Sequence, residues 1–387
     1  MRTLVASGVN EYQSVFLYAS DIAAGALFLW WLFCDGKKKS INLTLFLPLF
    51  LLLFWFFLSS IFSPNIFLGL YRTLKFAEFL WLFYYIRGAK FFQTVLSAIL
   101  ASAAFQSVLA IIQFTTQHSL GLWILGEERL SPVLAGVAKL DFHGQKIIRA
   151  YGTLPHPNVL ATFLFLAFFI IIPPFSRPRK RRDNLDLALI PLLTLGLLLT
   201  FSRTVILLSV IAMVFLFFIN RQKKQFAAFA LSLCVFGIIL APYFFTRFSI
   251  NPQEQAVDLR IFYTQNALAS IRAHPLFGVG PGQFTSYQQA IITHEKLPQW
   301  ANQPVHNIYL LLASEAGLPA LLFFLWFLYN LFLHSKKPFI ILCSSFLILG
   351  LFDHFFFSYQ AGALLFWLTL ALAGAMVQEK NYAKISS

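Results

Sequence analysis

The arginines on one predicted side of the apolar segments are the residues best suited to bind a charged substrate. Arg203 lies in Thr200–Thr204, a short polar link between two apolar runs with no acid nearby in sequence. Arg149 precedes the segment Tyr151–Asn158, and Arg260 lies on a predicted amphipathic helix. A guanidinium group binds phosphate oxygens through two parallel hydrogen bonds and keeps its charge when partly buried. Such groups would suit a lipid-linked phosphate or pyrophosphate; the alternative is that each side chain only extends to water at a membrane interface.

His306 is the best candidate for a general base. It opens an apolar run directly after a long polar connection, where a neutral imidazole could accept a proton from a sugar hydroxyl near neutral pH. The alternative is a histidine that only caps a helix start, and position alone does not single out His306, because five others lie on the same predicted side: His118, His143, His156, His274 and His294. Asp353 and His354 lie near the same side of a later run and are candidates to neighbour the site. The sequence has no Asp-x-Asp pair, so we predict no metal site.

The composition indicates that these residues are positioned by membrane-spanning helices. Apolar residues make up 59% of the 387 residues and charged residues 11%, whereas soluble chains carry about 25% charged residues. A helix needs about 20 apolar residues to cross a bilayer, and backbone groups in lipid must be satisfied internally. The sequence therefore predicts an all-α integral membrane protein of about eleven spans, over residues 14–34, 43–62, 74–90, 92–116, 158–175, 185–201, 204–220, 226–246, 306–333, 338–357 and 361–377.

The basic residues predict the orientation of these spans. The net charge is +14, and many of the basic residues follow the odd-numbered spans in short clusters: Lys37, Lys38, Lys39, Arg87, Lys90, Arg177, Arg179, Lys180, Arg181, Arg182, Arg221, Lys223, Lys224, Lys336, Lys337, Lys380 and Lys384. Short basic connections stay in the cytoplasm, so we predict an external N-terminus and a cytoplasmic C-terminus. This distribution favours membrane topology over nucleic-acid binding.

Two long connections lie on the external side of the single polytopic domain 1–387. They comprise residues 117–157 and 247–305, and long connections are usually functional or disordered. In the second, between spans 8 and 9, the sequence predicts an amphipathic helix over 254–273 and a turn-rich segment over 275–284. We find no internal repeat, which counts modestly against a transporter.

The chain resembles the bacterial O-antigen ligase and O-antigen polymerase superfamily. The signature after the large external loop is His-Asn, nine residues and then Gly, read here as His306, Asn307 and Gly317. The family usually has Gly, Thr or Tyr three residues later, where this sequence has Ala320.

Three further segments carry the same resemblance. Arg149–Asn158 resembles the family's Arg-x-x-Gly-Thr entry to a span, and Ser202-Arg203 resembles its Ser-Arg motif. Arg260–Phe284 resembles its loop helix with a Pro-Leu-Phe-Gly-x-Gly ending. The segments occur in the family's order and on one predicted side. The family commonly has twelve spans with both ends cytoplasmic, so one span is absent here or was missed.

The resemblance implies a GT-C-like glycosyltransferase fold and the reaction that goes with it. The donor would be an undecaprenyl-pyrophosphate-linked glycan, and the acceptor a hydroxyl of lipid A-core or similar, in lipopolysaccharide assembly at the periplasmic face of the bacterial inner membrane. The reaction would be inverting and would need no metal or cofactor. Arg149, Arg203 and Arg260 would bind the donor pyrophosphate and His306 would be the general base, with supporting roles expected for Asn307, Asn158, Tyr309, Arg72 and Asp353. A polysaccharide polymerase of the same superfamily is the main alternative, and a flippase or transporter of lipid-linked sugars is a weaker one.

Overall fold

The computed structural model describes residues 12–35, 43–87, 92–171, 180–220, 223–248, 255–333, 335 and 337–385. Several basic residues that predict the orientation lie outside these ranges: Lys37, Lys38, Lys39, Lys90, Arg177, Arg179, Arg221 and Lys336. The described chain forms two compact units, which are treated separately below.

The first unit contains five helices and a small hairpin. The helices are α4 (Phe92–Thr116), α5 (Pro157–Ile171), α6 (Lys180–Leu199), α7 (Arg203–Asn220) and α8 (Lys223–Phe248). Between α4 and α5 lie a 3-10 turn (Trp123–Leu125) and the strands β1 (Lys139–Phe142) and β2 (Gln145–Ile148). α6 packs against both α4 and α8.

The second unit contains the remaining helices. They are α1 (Ala19–Trp30), followed by a π-helical turn (Trp31–Asp35), then α2 (Leu43–Ile61), α3 (Ile66–Arg87), α9 (Gln255–Ala273), α10 (Phe284–His294), a 3-10 turn (Gln299–Ala301), α11 (Ile308–Leu333), α12 (Lys337–Gly350), α13 (Phe355–Ser358) and α14 (Gln360–Ile385). α11 packs against α2 and α9, and α14 packs against α3.

The apolar helices make this a multi-pass membrane protein. Among the described residues, four helices are long and apolar enough to cross a bilayer: Leu43–Ile61, Gln93–Thr116, Lys223–Arg247 and Ile308–Leu333. Shorter apolar helices cover Ala19–Cys34, Pro157–Ile171, Leu187–Leu199, Arg203–Ile219, Phe339–Gly350 and Gln360–Ala373. The helical fold is confirmed, and the count of eleven spans stays a prediction.

The hairpin in the connection between α4 and α5 was not predicted. Its two-residue turn has positive φ at both His143 (51°) and Gly144 (81°). Positive φ at both central residues is the requirement of a type I′ turn, whose twist matches that of the two strands. Histidine is an unusual residue at the first position, which hides the turn from sequence inspection. The backbone N–H of Ile148 donates to Gln117 Oε1 at 2.7 Å, so the hairpin is tied to the end of α4. It places Arg149 directly after β2.

The turn-rich segment after α9 docks on an interruption of α11. Gly317 has φ 82° and ψ 172° inside α11, so the helical hydrogen bonding breaks there. The backbone N–H groups of Val279 and Gly280 donate to the carbonyls of Ser314 and Glu315, both at 2.9 Å. Both the positive φ and the close approach of the Leu276 carbonyl require glycine at position 317. This explains in physical terms why the His-Asn signature ends on a glycine.

The predicted span over 338–357 is wrong as a continuous helix. α12 ends at Gly350, and Asp353 and His354 lie in a break before the one-turn helix α13. The aromatic run Phe355–Phe357 made the segment read as one apolar span. At this break, Asp353 and His354 lie close to His306.

Candidate active site

Asn307 fixes the backbone that presents His306. The Asn307 Oδ1 accepts hydrogen bonds from the backbone N–H groups of Tyr309 at 2.9 Å and Leu310 at 3.0 Å, which makes Asn307 the N-cap of α11. His306 therefore stands just outside the helix, at the end of the long connection that precedes α11. In the His-Asn pair, Asn307 caps the helix, and the His306 side chain remains available for chemistry.

Two aromatic rings contact the His306 ring. The Tyr263 ring of α9 stacks on it, with centroids 5.6 Å apart and an interplanar angle of 10°. The His354 ring meets it edge-on at 4.8 Å. Tyr263 and His354 are both buried, and the Tyr263 hydroxyl donates to the Ala301 carbonyl. The imidazole is thereby confined between two fixed rings.

The surroundings favour a neutral His306. Burial lowers the pKa of His306 below its usual value, the Asp353 carboxylate raises it, and the Arg260 cation lowers it. A hydrogen bond to the Pro304 backbone also raises it. His306 Nδ1 is buried and has no hydrogen-bond partner among the described residues. A neutral ring with an unpartnered nitrogen can accept a proton near neutral pH.

His354 is a neutral partner of His306. Burial, followed by the neighbouring His306, lowers the pKa of His354 to about 3. Its Nδ1 lies 2.6 Å from the Ser358 hydroxyl, and its backbone N–H donates to Asp353 Oδ1 at 2.8 Å. His354 therefore stays uncharged and fixes the orientation of the Asp353 carboxylate.

His306, Asp353 and His354 could also hold a metal ion. Each offers one ligand atom, and these atoms all lie within 4.8 Å of one another. Zinc bonds of about 2.0–2.2 Å to nitrogen and oxygen would need the three ligand atoms to come closer together. A reaction without a metal stays a prediction, which a chelator can test.

Arg260 approaches the same cluster from α9. It lies one helical turn before Tyr263, its side chain is exposed, and its charge acts on both His306 and His354. The predicted helix over 254–273 is confirmed as Gln255–Ala273. The structure thus brings three of the predicted residues together in the second unit: Arg260, His306 and Asp353.

Arg149 is connected to Arg203 in the first unit through the turn that precedes α7. Arg149 is 5% exposed; its Nε donates to the Thr200 carbonyl at 2.6 Å and its Nη2 to Asn158 Oδ1 at 2.8 Å. Thr200 begins the turn that leads into Arg203, the first residue of α7. Arg149 and Asn158 therefore secure the turn that carries Arg203.

The Arg203 turn is strained and tightly packed. Phe201 has a φ of 48°, a conformation that bulky residues rarely adopt, and it is fully buried against Phe114 and Phe244. The partly buried Arg203 donates from Nη1 to the Arg247 carbonyl at 3.2 Å. A cation in the first turn of a helix is unfavourable, whereas an anion there is stabilised. The turn therefore presents a cation where a bound phosphate would be favourable.

Two of the expected supporting residues make contacts that the sequence did not indicate. The Tyr309 hydroxyl donates to the Leu347 carbonyl of α12 at 3.1 Å, so Tyr309 ties α11 to α12. Arg72 lies inside α3, which begins at Ile66, and its Nη2 donates to the Tyr12 carbonyl at 2.9 Å. The helix therefore begins eight residues before the predicted span, 74–90, and includes Arg72.

One segment of the chain matches a known protein family. Residues 187–325 match the model of the family described as O-Antigen ligase. This segment of the chain is similar to the O-antigen ligase family. The match includes Arg203, Arg260, His306 and Gly317, whereas Arg149 and Asp353 lie outside it. No curated protein matches the chain. The O-antigen ligase family match and the apolar helices together indicate a membrane protein of the glycosyltransferase-like ligase or polymerase type.

Sequence inspection missed two aromatic neighbours of the His306 and His354 cluster. Tyr263 was one of several aromatic residues in a helix, and only the fold shows that it stacks on His306. Tyr12 packs edge-on against His354 with centroids 6.0 Å apart, and its hydroxyl lies 3.0 Å from that of Tyr359. Tyr12 and His354 are 342 positions apart in sequence, so no local pattern could indicate that contact.

Proposed function

We propose that the protein transfers a glycan from an undecaprenyl-pyrophosphate donor to an acceptor hydroxyl at the periplasmic face of the inner membrane, as an O-antigen ligase does. The observation that carries this proposal is the environment of His306, which lies beside Asp353 and Arg260. Burial favours its neutral form, and its Nδ1 has no hydrogen-bond partner among the described residues. The family match over residues 187–325 supports the same class of reaction.

The proposed reaction is a single displacement at the anomeric carbon of the donor sugar. His306 Nδ1 takes the proton of the acceptor hydroxyl as that oxygen forms a bond to the anomeric carbon. The bond from the anomeric carbon to the pyrophosphate oxygen breaks, and its electron pair leaves with the lipid pyrophosphate. Asp353 stabilises the imidazolium that forms, and the proton then passes to water. Direct displacement inverts the configuration at this carbon.

The arginines stabilise the charge of the leaving group. Arg260 lies near the base and is exposed, so its guanidinium is available to a phosphate oxygen. Arg203 is presented by the strained turn that Arg149 secures. Hydrogen-bond donors that are already in position when negative charge develops in the transition state lower the activation free energy by about 3 to 4 kcal/mol each in favourable enzymes. The arginines therefore take the place that a divalent ion has in metal-dependent transferases.

The test is reconstitution of transfer with purified protein. The detergent-solubilised protein is mixed with an undecaprenyl-pyrophosphate glycan and an excess of chelator. Lipid A-core is the acceptor in one reaction, and a second lipid-linked repeat unit in another. The linkage configuration of the product is determined by NMR.

Transfer to lipid A-core with inversion is the expected result. Transfer only to the second repeat unit would instead establish a polymerase. A product with retained configuration would contradict single displacement, and loss of transfer in chelator would contradict a metal-free reaction. A protein that transferred nothing but moved the donor across liposomes would be a flippase.

A further inference from the structure

A pocket inside the second unit has buried polar atoms that no group among the described residues satisfies. We call it the tyrosine pocket, because Tyr12, Tyr18, Tyr71 and Tyr359 line it. Arg72 Nε and Thr285 Oγ1 belong to side chains of the same pocket, and both atoms are buried without a hydrogen-bond partner among the described residues. Thr285 is 2% exposed. Buried polar atoms are normally paired, so two unpaired ones in one pocket indicate a ligand.

The charges lining the pocket are compensated. Lys75 forms ion pairs with Asp21 and with Glu78, the latter at 3.4 Å. Glu315 Oε2 accepts a hydrogen bond from the Gly282 N–H at 2.8 Å, and Oε1 accepts one from the Phe284 N–H at 3.3 Å. A pocket with balanced charge, aromatic walls and a few unpaired donors suits a neutral, hydroxyl-rich ligand better than a free anion.

The tyrosine pocket shares its wall with the His306 cluster. Ser358, which lines it, contacts His354 Nδ1 at 2.6 Å. Pro304, also in the lining, has its backbone close enough to His306 to raise the pKa of that imidazole. The Tyr12 ring packs on His354. A ligand in this pocket therefore lies beside the group that is proposed to deprotonate the acceptor.

We propose that the tyrosine pocket is the acceptor subsite and binds a neutral saccharide residue of the acceptor. Arg72 Nε and the Thr285 hydroxyl bind sugar oxygens, and the tyrosines pack against the ring. This inference rests on the proposed function, since it assigns the substrate that His306 deprotonates.

The test measures saccharide binding in the absence of any donor. Saturation-transfer NMR is recorded with core oligosaccharide released from lipopolysaccharide, and separately with a repeat-unit oligosaccharide. Arg72→Gln and Thr285→Val remove the two unpaired groups, whereas Thr285→Ser keeps the hydroxyl. Arg272→Gln, on the exposed side of α9, is the matched control.

We expect one of the two oligosaccharides to bind, with roughly tenfold weaker affinity in Arg72→Gln and Thr285→Val. Thr285→Ser and Arg272→Gln should bind as wild type does. If Arg72→Gln does not fold, the comparison of Val with Ser at position 285 decides the question. Binding of neither sugar, equal binding in all variants, or displacement of the sugar by inorganic pyrophosphate would overturn the proposal. Because no donor is present, a protein that binds the sugar yet transfers nothing would keep the subsite and lose the proposed function.

Discussion

At the scale of single residues, His306 is defined by opposing electrostatic effects. Burial and Arg260 favour its neutral form, and Asp353 favours its protonated form. A general base must be neutral to act, so the rate of transfer should rise with pH through the pKa of His306. Because that pKa is lowered from about 6.5, the rise should lie below pH 6.5.

Charge variants should move this rise in opposite directions. Arg260→Gln removes a cation, so the pKa of His306 increases and the rise moves to higher pH. Asp353→Asn removes an anion, so the pKa decreases and the rise moves to lower pH. The measurement is the initial rate of transfer against pH, with Arg272→Gln as a control that should leave the profile unchanged. Shifts in the same direction would contradict this account of the electrostatics.

Arg149 and Arg203 should respond differently to substitution. Arg149→Gln leaves the buried Thr200 carbonyl without its guanidinium donor, which costs about 1 to 3 kcal/mol of stability. Its melting temperature in detergent should fall together with transfer. Arg203→Gln, at a partly buried position, should lose transfer while its melting temperature stays near that of wild type. Equal destabilisation by both substitutions would contradict the view that Arg149 positions the turn and Arg203 binds the substrate.

At the scale of elements, the contact between the Pro275–Gly282 segment and the interrupted α11 sets the geometry of the site. Gly317→Ala would place a Cβ against the Leu276 carbonyl in a backbone conformation of φ 82°. Stability should fall by more than about 1 kcal/mol, and transfer should fall with it. Thermal unfolding in detergent measures the effect. Gly237→Ala is the matched control, because Gly237 lies within α8 and no atom of the described residues lies within 4 Å of the added Cβ. This substitution should be neutral or stabilising. Equal effects of the two substitutions would show that the docking contact is unimportant.

The helical elements and the order of the motifs could be predicted from the sequence, whereas the breaks could not. Hydrophobic runs and the amphipathic pattern after residue 254 identify helices well, because burial in lipid or protein leaves a clear periodicity. The interruption at Gly317, the break at Asp353 and the hairpin turn at His143 depend on tertiary contacts or on unusual turn residues. These breaks are also what place Asp353, His354 and Arg149, so the candidate site was only partly predictable.

At the scale of the whole molecule, the distribution of basic residues predicts the sidedness of the chain. His294 in the large loop should be external, and Lys223 at the start of α8 should be cytoplasmic. The two positions are exposed, so each can be replaced by cysteine in a variant that lacks Cys34, Cys234 and Cys343. A membrane-impermeant maleimide added to spheroplasts should label His294→Cys and not Lys223→Cys until the cells are lysed. The reverse pattern would place the His306 cluster in the cytoplasm and contradict the proposed location.

The central claim is that His306 is the base of a glycan transfer, and one comparison tests it most directly. Transfer from an undecaprenyl-pyrophosphate glycan is measured for wild type, His306→Ala and His294→Ala, with folding checked by thermal unfolding. His294 is an exposed histidine of the same unit, with a side chain 87% exposed, so its loss controls for removal of an imidazole. General-base catalysis contributes about 10²- to 10⁴-fold, so His306→Ala should lose at least 100-fold while His294→Ala transfers as wild type does. A folded His306→Ala protein that transfers at the wild-type rate would contradict the account.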